Sequence, residues 1–89
     1  MPALSIFYGL VVYMYFMDNR QHHEPHIHVM CQGQEVVVGI PNGNVLDGEI
    51  PAAKMKLLQA WIELHKEELM LDWQLAVTGQ QPIKIEPLR

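Results

Sequence analysis

Three observations predict an α+β fold in which a four- to five-stranded antiparallel sheet carries two C-terminal α-helices packed on one face. Residues 3–47 hold short apolar runs, alternating or β-branched, punctuated by Gly9, Gly33 and Asn42-Gly43. From residue 52 to Gly79 the apolar spacing changes to three and four. All the strand patterns precede all the helical ones, which places the helices on one side of a meandering sheet.

Ala3 to Tyr8 reads as a short strand, and Gly9 passes the chain into Leu10–Phe16. That second run is β-branched and aromatic on both parities, the pattern of a central strand covered on both faces. Asp18-Asn19 ends it and a polar loop follows. Pro25 sets its own φ and drives Glu24 into an extended conformation, so the loop feeds a strand over His26–Cys31. A two-residue turn on Gly33-Gln34 pairs Val29 with Val38, Ile27 with Ile40 and Cys31 with Val36, and sets Gly39 opposite His28, beside open space. Asn42-Gly43 signals a second two-residue hairpin with positive φ at both positions, leading to a strand over Asn44–Asp47 with Val45 beside Ile40. Gly48 ends that strand.

Pro51 suits a first helical turn, and Met55, Leu58 and Ile62 begin an apolar stripe flanked by Leu57, Trp61 and Leu64. The stripe continues through Leu69, Trp73 and Ala76 to Gly79. One straight helix of that length would measure about 40 Å, long for so small a chain. A break near His65-Lys66 is therefore predicted, with Glu67 and Glu68 opening a second helix. Ile83–Glu86, bracketed by Pro82 and Pro87, alternates like an edge strand or one exchanged with a second copy. Residues 1–89 read as one domain without repeats.

A hydrophobic content of 49% fits a packed domain. The net charge is −4, and the six Lys and Arg residues do not cluster, which disfavours binding to nucleic acid through phosphate contacts. Cys31, the single cysteine, has no internal disulfide partner, so a reducing cytoplasm is the expected compartment. Leu10–Met17 is far too short to span a bilayer, and the N-terminal residues do not form a signal peptide. Exposed apolar helix surface left after one stripe is buried predicts a homodimer or a heteromeric partner.

Four of the five histidines lie between Asp18 and Val29. On a strand, His26 and His28 share a face with Cα atoms roughly 6.5 to 7 Å apart, near enough for both imidazoles to converge on one ion or substrate group. Three readings follow. The pair binds a divalent transition metal such as zinc, with a third ligand from Asp18, Glu24 or His22. Alternatively His26 and His28 are the catalytic acid and base of a small hydrolase, with Arg20 beside a phosphate. Or the histidines fix the loop and form part of a partner-binding surface. His65 reads as a capping or packing residue, and Tyr13, Tyr15, Trp61 and Trp73 as core.

Ile6-Phe7-Tyr8-Gly9, the aromatic run Tyr13-Met14-Tyr15-Phe16, Pro25-His26-Ile27-His28-Val29, and Leu64-His65-Lys66-Glu67-Glu68-Leu69 followed by Trp73 together resemble the bacterial domain-of-unknown-function family numbered 4160. The family's approach to the first motif histidine is usually shorter and richer in proline, so His22-His23-Glu24 departs from its pattern. The resemblance implies a partner protein from a neighbouring gene, commonly a second small domain numbered 2442, in a pair of toxin–antitoxin type. The first functional expectation is thus an interaction component of a two-gene module with a histidine-rich surface. The alternative is a hydrolase, such as a ribonuclease, acting through His26 and His28.

Overall fold

In the computed structural model, which describes residues 3–15 and 24–89, five strands lie side by side in chain order and each pairs antiparallel with the next. They are β1 (Ser5–Phe7), β2 (Leu10–Tyr13), β3 (His26–Cys31), β4 (Gln34–Gly39) and β5 (Val45–Gly48), followed by one helix, α1 (Ala52–Val77). The α+β class and the five-stranded antiparallel sheet agree with the sequence.

Two tight turns set the registers. Tyr8 and Gly9 have φ of 49° and 79°, and Gln32 and Gly33 have 52° and 78°. Positive φ at both central positions is the two-residue hairpin whose twist matches that of its strands. The first turn pairs Phe7 with Leu10, and the second pairs Cys31 with Gln34. The turn expected on Gly33-Gln34 therefore sits one residue earlier, and the β3–β4 register differs by two: Val29 faces Val36, Ile27 faces Val38, and Gly39 faces His26 instead of His28. A slip of two keeps every side chain on its face, so apolar patterning satisfies both registers equally. The backbone twist of the turn decides between them.

The Asn42-Gly43 signal is also resolved differently. Residues 40–44 form a longer loop with a cis Ile40–Pro41 peptide, in which the Gly39 N–H donates to the Asn44 carbonyl at 2.7 Å. Asn42 Oδ1 accepts the Asn44 N–H at 3.2 Å, and Gly43 alone in the loop has positive φ, at 79°. Pro41 has no N–H for the ladder and Asn42 closes its own local turn, so the strands separate early. Val45 faces Val38 instead of Ile40, and a bulge lies between Val37 and Val38.

One helix with a kink at His65 replaces the two expected. Its backbone bends at His65 (φ −120°, ψ 21°), within the stretch where the break was predicted, without separating into two elements. A straight helix of 26 residues would be about 39 Å long, whereas the largest extent of the chain is 33 Å. The bend keeps Leu58, Trp61, Ile62, Leu69, Trp73 and Ala76 buried on one stripe. The His65 ring packs 5.6 Å from that of Trp61, and its Nδ1 lies 2.6 Å from Glu68 Oε1, so the residue has the packing role expected of it. Pro51 occupies the cap position, one residue outside the helix. At the other end the N–H groups of Gly79 and Gln80 donate to the carbonyls of Ala76 and Leu75, the Schellman arrangement, with Gly79 at φ 83°.

The tail does not form the expected edge strand. Its backbone makes one sheet-like bond, from the Ile85 N–H to the Leu4 carbonyl at 2.9 Å. The helix takes the others: Asp72 Oδ1 accepts the Ile83 N–H at 2.9 Å, and the Trp61 indole N–H donates to the Glu86 carbonyl at 2.8 Å.

The core lies between α1, the tail and one sheet face, with Leu10, Val12, Ile27, Val29, Val36 and Val38 fully buried. Cys31 belongs to it, as its strand position predicts. Ile6, Val11, Tyr13, Tyr15, His28 and Met30 have the other parity and are outside this buried cluster. Strand β2 is thus fully buried on one face: Val11 and Tyr13 are half-buried, and Tyr15 is exposed rather than core.

Candidate functional site

The alternation of β3 places His26 and His28 together. Their ring centroids are 5.2 Å apart with the planes at 65°. His26, at the start of the strand, is buried, and its ring lies 5.0 Å from that of Trp73 on α1. Its Nδ1 is 2.9 Å from the Glu24 carbonyl oxygen. A carbonyl only accepts, so Nδ1 carries the hydrogen, and in the neutral ring the lone pair belongs to Nε2. A backbone carbonyl that orients an imidazole in this way is a common support for a histidine with chemical work to do.

His28 is paired across the sheet with Tyr13 on one side and Val37 on the other. The Tyr15 ring lies 4.5 Å from its imidazole and 6.2 Å from the Tyr13 ring. Glu35 Oε2 is 3.5 Å from His28 Nδ1. The site thus contains one buried imidazole tied to backbone and one half-buried imidazole among a carboxylate and two phenols.

The space expected beside a histidine at Gly39, for a ligand or another side chain, is taken by side chains. A methyl group on Gly39 would meet Asn42 Oδ1 at 3.3 Å and Glu24 Oε2 at 3.5 Å. Glu24, weighed in the sequence as a third ligand, accordingly sits beside the residue paired with His26. Glu35, Tyr15 and Trp73 were not foreseen as neighbours of the histidines. The register would have revealed Glu35, whereas Trp73 approaches through tertiary packing alone. Asp18, Arg20, His22 and His23 lie outside the described residues. Among the described residues no group of three His, Cys, Asp or Glu side chains is arranged to hold a metal ion.

A model for a family described as a domain of unknown function matches residues 9–74. The chain belongs to that family, DUF4160. The matched span of the DUF4160 domain runs from the first hairpin turn to Gln74, so it contains both histidines, the five-residue loop before β5 and the kink at His65. No curated protein and no solved structure matches the chain. Among the described residues of this DUF4160 chain, no helix is long and apolar enough to cross a membrane.

Proposed function

We propose that the chain is an interaction protein, one component of a two-gene module of toxin–antitoxin type, which binds the neighbouring gene's product through the sheet face around His28. One observation carries this reading: the face opposite α1 is built from Ile6, Val11, Tyr13, Tyr15 and Met30, with Ile6 64% exposed and Tyr15 38% exposed. A half-solvated antiparallel sheet normally alternates to polar residues on its outer face. Aromatic and apolar residues in that position suit a protein interface, in which tyrosine and methionine supply contact area and a histidine and carboxylate supply direction.

The test is co-expression with the neighbouring gene product, followed by size-exclusion chromatography with light scattering. A stoichiometric complex is expected, and Ile6→Lys should abolish it while leaving the circular dichroism and melting of the isolated chain unchanged. Failure of the wild-type chain to form a complex, with a homodimer found in its place, would transfer the face to self-association. A strict monomer with no partner would remove the interaction reading.

A second reading, a small hydrolase such as a ribonuclease using His26 and His28, is favoured by the geometry of the rings. Two imidazoles on one tetrahedral zinc ion would have centroids about 5 Å apart, as these do. Asp18 is the further ligand proposed for such an ion. Elemental analysis of untagged protein grown with added metal separates the cases. A near-stoichiometric metal, lost in the His26→Ala, His28→Ala double variant, would move the hydrolase ahead, whereas its absence from both folded proteins would favour the interaction reading and leave only a metal-free hydrolase beside it.

A further inference from the structure

Asp72 stands on the buried stripe of α1 and is 3% exposed, an unusual place for a carboxylate. One oxygen has a structural role, because Oδ1 accepts the Ile83 N–H and fixes the tail against the helix. The other has none. Oδ2 is buried without a hydrogen-bond partner. An asparagine could accept the same amide bond while carrying no charge, so holding the tail does not account for an ionisable group here. A buried acceptor left unpaired costs about 1–3 kcal/mol, more when it is charged, a cost that a donor supplied from outside would relieve.

The surroundings specify that partner. Asp72 lines a pocket of about 110 Å³ between α1 and the tail, with Glu68, Leu71, Ile83, Lys84 and Ile85. Leu71 and Ile83 form apolar walls although they are 64% and 69% exposed. The same two residues border a second depression that runs on past Gln74 and Thr78. A buried acceptor oxygen, a second carboxylate and exposed aliphatic walls complement a side chain with a planar cationic head and an apolar stem.

We propose that the Asp72 pocket receives the guanidinium group of an arginine from a partner protein, its stem lying between Leu71 and Ile83. The five donors of a guanidinium can satisfy Asp72 Oδ2 and still reach Glu68, which a point-like ammonium does less well. Burial pushes the Asp72 carboxyl up from its ordinary range; the Ile83 amide opposes this and Glu68 adds to it. A bound cation would relieve the same burial cost. The site uses none of the histidine-face residues, so it stands or falls independently of the function assigned to that face.

The experiment is an amide NMR titration of the full chain with N-acetyl-arginine amide, using N-acetyl-citrulline amide as the uncharged analogue and spermidine as a free polyamine. Saturable shifts centred on Asp72, Ile83 and Lys84 are expected with the arginine compound and not with the citrulline compound. Asp72→Asn, which keeps the acceptor for Ile83, should weaken binding about tenfold or more. Leu71→Ala, outside the core, should weaken it several-fold and serves as the readout if the first variant does not fold. No saturable shift, equal binding of citrulline, or equal binding by both variants would overturn the proposal. Tighter binding of spermidine than of the arginine compound would overturn the assignment to a protein side chain.

Discussion

The two faces of the sheet are built from similar kinds of residue but are covered to different extents. On one, Leu10, Val12, Val29, Val36 and Val38 are sealed beneath α1 and the tail. On the other, His26 and Val37 are buried, while Val11, Tyr13, Met30 and Ile6 range from half-buried to exposed around His28. Apolar composition therefore does not by itself distinguish core from surface here. The placing of covering elements does: among the described residues one kinked helix and one short tail seal one face, whereas the other keeps Ile6 and Tyr15 exposed.

That contrast can be broken or sharpened by substitution. The largest effect is expected at Trp61, which is fully buried, packs 5.1 Å from the Phe7 ring and donates to the Glu86 carbonyl. Trp61→Ala should cost about 3–5 kcal/mol in urea denaturation, enough to unfold a chain of this size. Gly48→Ala comes next. Gly48 has φ 73°, and an added methyl would collide with the Glu35 carbonyl across the β4–β5 ladder. The left-handed backbone alone costs about 1–2 kcal/mol for a non-glycine residue, and the collision adds to that. Loss of amide protection along β5 ahead of β3 would locate the damage.

His26 links the faces through Trp73, so His26→Ala should lose about 2 kcal/mol by removing that packing and the bond to Glu24. His28→Ala, at a ring less deeply buried than that of His26, should be milder by the same assay. For Asp72 the sign follows from its carboxyl being raised in the folded state, mainly by burial. The folded chain holds that proton more tightly than the unfolded chain, so Asp72 weakens the fold increasingly as pH rises from the ordinary carboxylate range through its raised value. Asp72→Asn should therefore be more stable than wild type at neutral pH, with the difference vanishing in acid, as thermal melts across pH would show. Least of all, Ile6→Ala should shift stability by no more than about 0.5 kcal/mol while measurably weakening the partner complex.

The five strands, the strand parity of His26 and His28, the core position of Cys31 and the glycine end of α1 were legible because each rests on periodicity or on a local backbone requirement. The bend at His65 was legible in place but not in kind, since only the shape of the covered sheet shows that one bent residue suffices. The β3–β4 register was not legible: a slip of two preserves the apolar face, and nothing in the side chains of Gln32 or Tyr8 announces a positive φ. Trp73 beside His26, Glu24 beside Gly39 and Asp72 beneath Ile83 join residues far apart in the chain or on different elements. The sequence by itself determined which residues could face one another, through periods of two and of three to four. Tertiary structure decided which face received the helix and which carboxylate was left short of a partner, because both depend on where covering elements run out, and no local pattern encodes that.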